Sequence, residues 1–160
     1  MKEIPLTQGQ VALVDDEDFE RVNAFKWRAS WCPGTKSFYA KRSIGPRSNQ
    51  KTIYMHRFIM NTPKGMHCDH IHHDTLNNQK GNLRNCTPSQ NNMNSRLRSN
   101  NTTGLNDVCR HSKYGYQVKI HANGKAVFLK WFKTLAEAIA ARDEAIKKYH
   151  GDFAYVPDKT

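Results

Sequence analysis

Residues 66–94 constrain the fold more than any other stretch of this chain. They read MHCDHIHHDTLNNQKGNLRNCTPSQNNMN. Thr87 is a good helix N-cap, Pro88 suits the first helical position, and Gln90 falls at the third, which makes a T-x-x-Q capping box. A helix is therefore predicted from Pro88 to about Leu97. Before it, residues 72–81 are polar and lack periodicity, as a loop does. Short strands are predicted near 67–70 and 83–86. The expected unit is strand, long loop, strand, capped helix.

The flanking segments have their own patterns. Ile4, Leu6, Val11 and Leu13 suggest a hairpin turning at Gln8-Gly9. Asp15 or Asp16 can cap a short helix whose apolar stripe is Phe19, Val22 and Phe25. Strand-like pieces follow at 26–31 and 38–43, with a Gly/Pro/Ser loop at 45–49. The run 53–60 reads as a strand leading into a short buried helix. Residues 99–103 (SNNTT) look like a linker. Beyond them, Asn123-Gly124 is a strong hairpin signal between two alternating runs. Thr134 and Glu137 form a second capping box. Leu135, Ala138, Ile139, Ile146 and Tyr149 share one helical face, and Gly151 stops the helix.

Charge narrows the choice of partner. The 160 residues carry a net +11, and the excess is local. Residues 1–20 hold six acids against Lys2, whereas residues 21–98 hold fourteen Lys or Arg against only Asp69 and Asp74. Such a basic stretch favours a polyanion, nucleic acid first. The four cysteines (Cys32, Cys68, Cys86, Cys109) show no C-x-x-C pair and no disulfide framework. With no signal peptide and no long apolar run, a soluble, cytoplasmic protein without membrane association is expected.

The two acids of the basic stretch invite a chemical reading. Phosphodiester hydrolysis needs a base for water and a cation for the charge on phosphate and leaving oxygen. A neutral histidine suits the first task near pH 7. A carboxylate and an amide oxygen suit a hard divalent ion. Asp69 and His70 are adjacent, Asn91 lies in the first turn of the capped helix, and Asn82 sits where the loop rejoins its second strand. A zinc alternative rests on His67, Cys68, His70, His72, His73 and Cys86, but their spacing fits no closed tetrahedral pattern.

D-H, an Asn-rich loop, N-L-R and T-P-S-Q-N together resemble the HNH homing endonucleases of bacteriophages. The resemblance implies a ββα-metal finger at about 65–98 within a nuclease domain spanning 1–98. It implies His70 as general base, Asp69 and Asn91 as ligands of one Mg2+ or Mn2+, and Asn82 as the residue that positions the loop and His70. With Asn91 at the third position the pattern is an H-N-N variant. No structural zinc is expected. His56 resembles a histidine upstream of that family's motif and is read as structural or half-buried.

The unit 104–160 resembles the Apetala, or ethylene-response-factor, type of DNA-binding domain. The matching residues are NNTTGLNDV, YQVKIHANGKAVFLKWF and TLAEAIAARDEAIKKYHGDFA. The resemblance implies a three-stranded antiparallel sheet packed on one helix and set in the major groove. Strict alternation would pack Val118, Ile120, Val127 and Leu129 on the helix. Gln117, Lys119, His121, Phe128 and Lys130 would face out, with Arg110 from the first strand. Arg42, Arg84, Arg96 and Arg98 would contact the DNA backbone. The fold class expected is α+β, and the function a metal-dependent endonuclease acting on double-stranded DNA, as a monomer and in a homing role. The alternatives are a non-cleaving, repressor-like DNA-binding protein on an inactive finger, and an RNA-directed protein.

Overall fold

The computed structural model describes residues 1–155. Among the described residues the fold is mixed, with several small antiparallel sheets and four α-helices. The chain divides into two compact units, Met1–Cys86 and the residues from Thr87 onward. No helix among the described residues is long and apolar enough to cross a membrane.

In the first unit, β1 (Lys2–Pro5) and β2 (Val11–Val14) form the hairpin, with Gln8 and Gly9 both at positive φ. Helix α1 (Asp16–Asn23) follows. A three-stranded sheet comes next, β3 (Arg28–Cys32), β4 (Ser37–Ile44) and β5 (Lys51–Tyr54), and runs into helix α2 (Met55–Ile59). The last pair is β6 (His67–His70) with β7 (Leu83–Cys86). One core serves all of these. Ile4 and Val14 from the hairpin, Val22 from α1, Met55 and Ile59 from α2 and Leu83 from β7 are buried together. Trp27 is locked at its edge by an Nε1–H bond to the Val22 carbonyl, 2.9 Å.

The second unit opens with α3 (Pro88–Met93), whose expected capping box is present in full, Thr87 with Gln90. The helix stops at Met93 rather than near Leu97. Asn92 and Asn94 are weaker helix formers than Ala or Leu. Asn94 is buried at the C-cap, and the Ser95 carbonyl is taken by Asn106 Nδ2 at 2.7 Å. The helix also packs on β9, and near it Ser89 Oγ accepts from Asn123 N at 2.8 Å. These interactions explain why the compact units part at Cys86/Thr87, whereas the residue pattern suggests a linker at 99–103. That stretch is a tightly bonded turn instead. Asn101 Oδ1 accepts from Thr103 N and Gly104 N, and Thr103 Oγ1 donates to the Val108 carbonyl.

The sheet of the second unit runs β10–β9–β8, with β8 Val108–His111, β9 Gly115–Ala122 and β10 Lys125–Phe132. Helix α4 (Leu135–Tyr149), with the expected Thr134–Glu137 box, covers one face. Val108, Val118, Ile120, Ala138 and Ala145 form its buried core. Gly115 turns β8 into β9 at φ 82°, and a Cβ there would meet the Phe132 carbonyl oxygen at 2.3 Å. Only glycine fits that corner.

Alternation fails in β10. The ladder pairs Ala126 with His121 and then Phe128 with Ile120, so Val127 is bulged out of register. Every later residue changes face. Phe128 and Phe132 pack on the helix side, and Lys130, paired with Val118, lies on that side too. Leu129 and Trp131 face away, 53% and 45% exposed. Arg110 pairs with Tyr116, which packs against the core, so it also belongs to the helix side. Of the expected outward residues, Gln117, Lys119 and His121 hold that place. Phe128, Lys130 and Arg110 do not.

Candidate active site

The chemistry-bearing residues of the first unit meet at the end of β6. In the β6–β7 ladder Asp69 lies opposite Arg84, and His70 opposite Leu83. Both Asp69 and His70 are buried. Arg84 donates from Nε (3.0 Å) and Nη2 (2.7 Å) to Asp69 Oδ2. Arg84, expected on the DNA backbone, is thus the ion-pair partner of the expected metal ligand.

His70 is surrounded by rings. His56 crosses it edge-on at 4.8 Å, and Tyr39 stands at 6.0 Å from both. Tyr54 closes the cluster at 5.4 Å from His56. Burial pushes the His70 imidazolium pKa down to about 4, against the neighbouring Asn78 side chain and the nearby charges of Asp69 and Asp74, which raise it. Burial takes His56 further, to about 2, with His70 and Arg57 adding to the effect. Both rings are neutral at pH 7, the form a general base requires.

Asn82 organises the loop. Its Oδ1 accepts from His72 N at 3.0 Å, and its Nδ2 donates to the carbonyls of Asp74 (3.0 Å) and Asn77 (2.8 Å). Its own carbonyl accepts from Ile71 N at 2.9 Å. Both amide protons and the side-chain oxygen are used, so this side chain positions and does not ligate. The asparagine whose side chain acts on the His70 charge is Asn78, which nothing in the residue pattern singles out. Asn78 is buried, with Nδ2 on the Leu76 carbonyl at 2.9 Å. One asparagine among the many of this loop carries no signal of its own.

The N-terminal segment, to which sequence reasoning assigns no role, clamps the same loop. Leu13 N donates to the Leu76 carbonyl (2.9 Å), and Asn78 N donates to the Leu13 carbonyl (2.8 Å), so the loop extends the hairpin as a parallel bridge. Asp15 stands at the N-cap of α1 but makes no side-chain cap. Its carboxylate instead accepts from Lys80 N (2.8 Å) and Gln79 Nε2 (3.0 Å). Lys80 Nζ meets Glu17 and, at 3.2 Å, Asp18. Thr75 Oγ1 donates to the Phe38 carbonyl at 2.6 Å. The acid-rich start of the chain is a brace for the loop after His70.

The remaining expected contacts are placed as follows. Arg42 lies 3.7 Å from the Phe25 ring centroid and within 6 Å of Trp27 and Phe58, a stacked structural cation rather than a backbone contact. Arg96 is half-buried and Arg98 exposed, both in the second unit. Asn91, half-buried in α3, also belongs there, so Asp69, His70 and Asn82 are the motif residues that the first unit gathers by itself. Among the described residues no group of three or more His, Cys, Asp or Glu is placed to hold a metal ion. The His- and Cys-rich run is not gathered into a tetrahedral set.

Comparison with known proteins bears on this arrangement. The chain is similar to an uncharacterized HNH endonuclease of Acanthamoeba polyphaga mimivirus, 27% identical over 152 residues, covering 95% of this chain and 76% of the relative. That similarity supports a nuclease of the HNH type at the level of the family. No family model and no solved structure matches the chain.

Proposed function

We propose that the protein is a metal-dependent endonuclease that hydrolyses phosphodiester bonds in double-stranded DNA. The observation that carries this reading is His70, neutral and ring-packed beside the Asp69 carboxylate, at the head of a loop clamped by Asn82 and Asp15. In this reading His70 takes the proton of the attacking water. Asn78 lies beside the imidazole, and Asn82 holds the loop that follows it.

The donor chemistry fits a hard divalent ion: the Asp69 carboxylate, with Asn91 supplying an amide oxygen on the strength of the family resemblance. Such an ion, Mg2+ or Mn2+, would neutralise charge on the phosphate and the leaving oxygen. Arg84 competes for the same carboxylate, so ligand exchange at Asp69 is part of loading the site. That ion pair is also the observation that favours a second reading, a DNA-binding protein on a silent nuclease finger.

The second unit supplies affinity in this proposal, through the sheet face bearing Gln117, Lys119, His121, Leu129 and Trp131. A ββα-metal finger, an Apetala-like reader, a homing role and action as a monomer in the cytoplasm complete the reading and rest on the resemblances. The test is plasmid cleavage with magnesium or manganese by the intact protein beside His70→Ala. Cleavage that needs both metal and His70 supports the enzyme. Binding without cleavage by either protein supports the silent finger.

A further inference from the structure

The β3–β4–β5 sheet has two faces of opposite character. Register and alternation put Ala29, Ala40, Arg42 and Ile53 on one face, which closes the core. The other face carries Ser30, Ser37, Tyr39, Ser43, Thr52 and Tyr54, six hydroxyls, all half-buried or exposed. Arg28 and Lys41 stand among them, directly opposite each other in the ladder. No strand residue on this face is a carboxylate, and none occurs in the chain between Glu20 and Asp69.

Like charges set opposite each other in a sheet are unfavourable unless something offsets them. Here Arg28 bonds Ser43 Oγ at 3.1 Å, and Lys41 Nζ hangs 5.9 Å from the Tyr54 ring. Among the described residues neither cation pairs with a carboxylate. Hydroxyl donors around two unneutralised cations are the groups that hold phosphate oxygens. The face is also continuous with the candidate site. Tyr39 and Tyr54 belong to it, and they are the rings packed on His70 and His56.

We propose that this face is a binding track for the phosphodiester backbone of the DNA strand presented to His70, with Arg28 and Lys41 clamping phosphate beyond the scissile one. This rests on the nuclease reading above and adds a surface to it. The charge complementarity is to a polyanion whose backbone runs past His70. Duplex DNA is the occupant because it is the substrate of that reading.

The test uses the full chain with EDTA present, binding a short fluorescent DNA duplex across a salt series. Replacing both cations (Arg28→Gln with Lys41→Gln) is expected to flatten the slope of log affinity against log salt by about 1.8, since each neutralised phosphate contributes about 0.9. Lys51→Gln, on the opposite face of the same sheet, is expected to leave the slope unchanged. In the unaltered protein, duplex DNA is expected to protect Lys41 from acetylation, a readout that decides the matter if the double variant melts early. An unchanged slope in a folded double variant, or unprotected Lys41 if it does not fold, overturns the track. It leaves the nuclease reading standing so long as the unaltered protein cuts and His70→Ala does not. A protein that neither binds nor cuts DNA overturns both, and equal or tighter binding of an RNA duplex overturns the assignment to DNA.

Discussion

Arg84 faces Asp69 across the β6–β7 ladder and brings two guanidinium nitrogens onto one carboxylate oxygen, Oδ2. Both side chains are mostly shielded from water, 14% and 10% exposed, so neither charge can be left alone cheaply. Arg84→Met should therefore cost about 3 kcal/mol of unfolding free energy. Asp69→Asn together with Arg84→Met should cost less than the two single changes added, as chemical denaturation of the four proteins would show. If Asp69 is a metal ligand, magnesium should recover part of the loss in Arg84→Met and none of it in Asp69→Asn. Equal recovery in both would place the metal elsewhere.

Asn82 makes a sharper prediction because its amide is used at both ends. Asn82→Ala strands His72 N and the carbonyls of Asp74 and Asn77, at about 1–3 kcal/mol for each group that water cannot reach. Asn82→Asp should be worse than Ala. It sets a carboxylate oxygen against two carbonyls where two N–H donors stood. Thermal melts should rank the proteins unaltered, then Ala, then Asp. A melt for Asp equal to the unaltered protein would mean the amide is not the clamp.

Acid should loosen the first unit before ordinary carboxylate titration does. Unfolded histidines protonate near pH 6.5, whereas burial holds folded His56 near 2 and His70 near 4. Below pH 6.5 the unfolded chain thus binds more protons than the native one, and stability falls with falling pH. The stabilisation is fully present above 6.5. It is lost through the window down to about 4 for His70 and about 2 for His56, at roughly 1.4 kcal/mol per pH unit for each ring. His56→Phe, which keeps a ring beside His70, should flatten this slope. A slope unchanged in the variant would show that His56 does not carry the effect.

The parts of the fold set by neighbours in the chain were legible in the sequence. Both capping boxes, the strands at 67–70 and 83–86 and the two-residue turns all depend on residues a few places apart. What was not legible depends on partners far away. Asp15 reads as an N-cap, yet its carboxylate goes to Lys80 and Gln79, more than sixty residues on. Arg84 reads as a phosphate contact until its cross-strand neighbour is known. Asn78 cannot be told from the asparagines around it until the loop is folded against Leu13.

The bulge at Val127 has the widest consequence, because it exchanges the faces of β10 without leaving a mark in the residue pattern. Under strict alternation Phe128 would touch DNA and Leu129 would be core. In the structure Phe128 packs on the α4 side, while Trp131 meets His111 edge-on at 4.8 Å and Tyr114 edge-on at 5.6 Å in the open. Phe128→Ala should then act on folding, lowering stability by about 2 kcal/mol for a half-buried ring, with the DNA affinity of the folded fraction kept. Trp131→Ala should leave the melt within about half a kcal/mol. If the exposed face is the reader, that change should weaken duplex binding by about 1–3 kcal/mol, the scale of a good groove contact. Lys119→Ala, beside Leu129 on the same face, should reduce the salt slope by about 1. Melting curves and anisotropy titrations on the same preparations separate the two outcomes. Binding lost in Phe128→Ala at full stability, with Trp131→Ala silent, would restore the unbulged register.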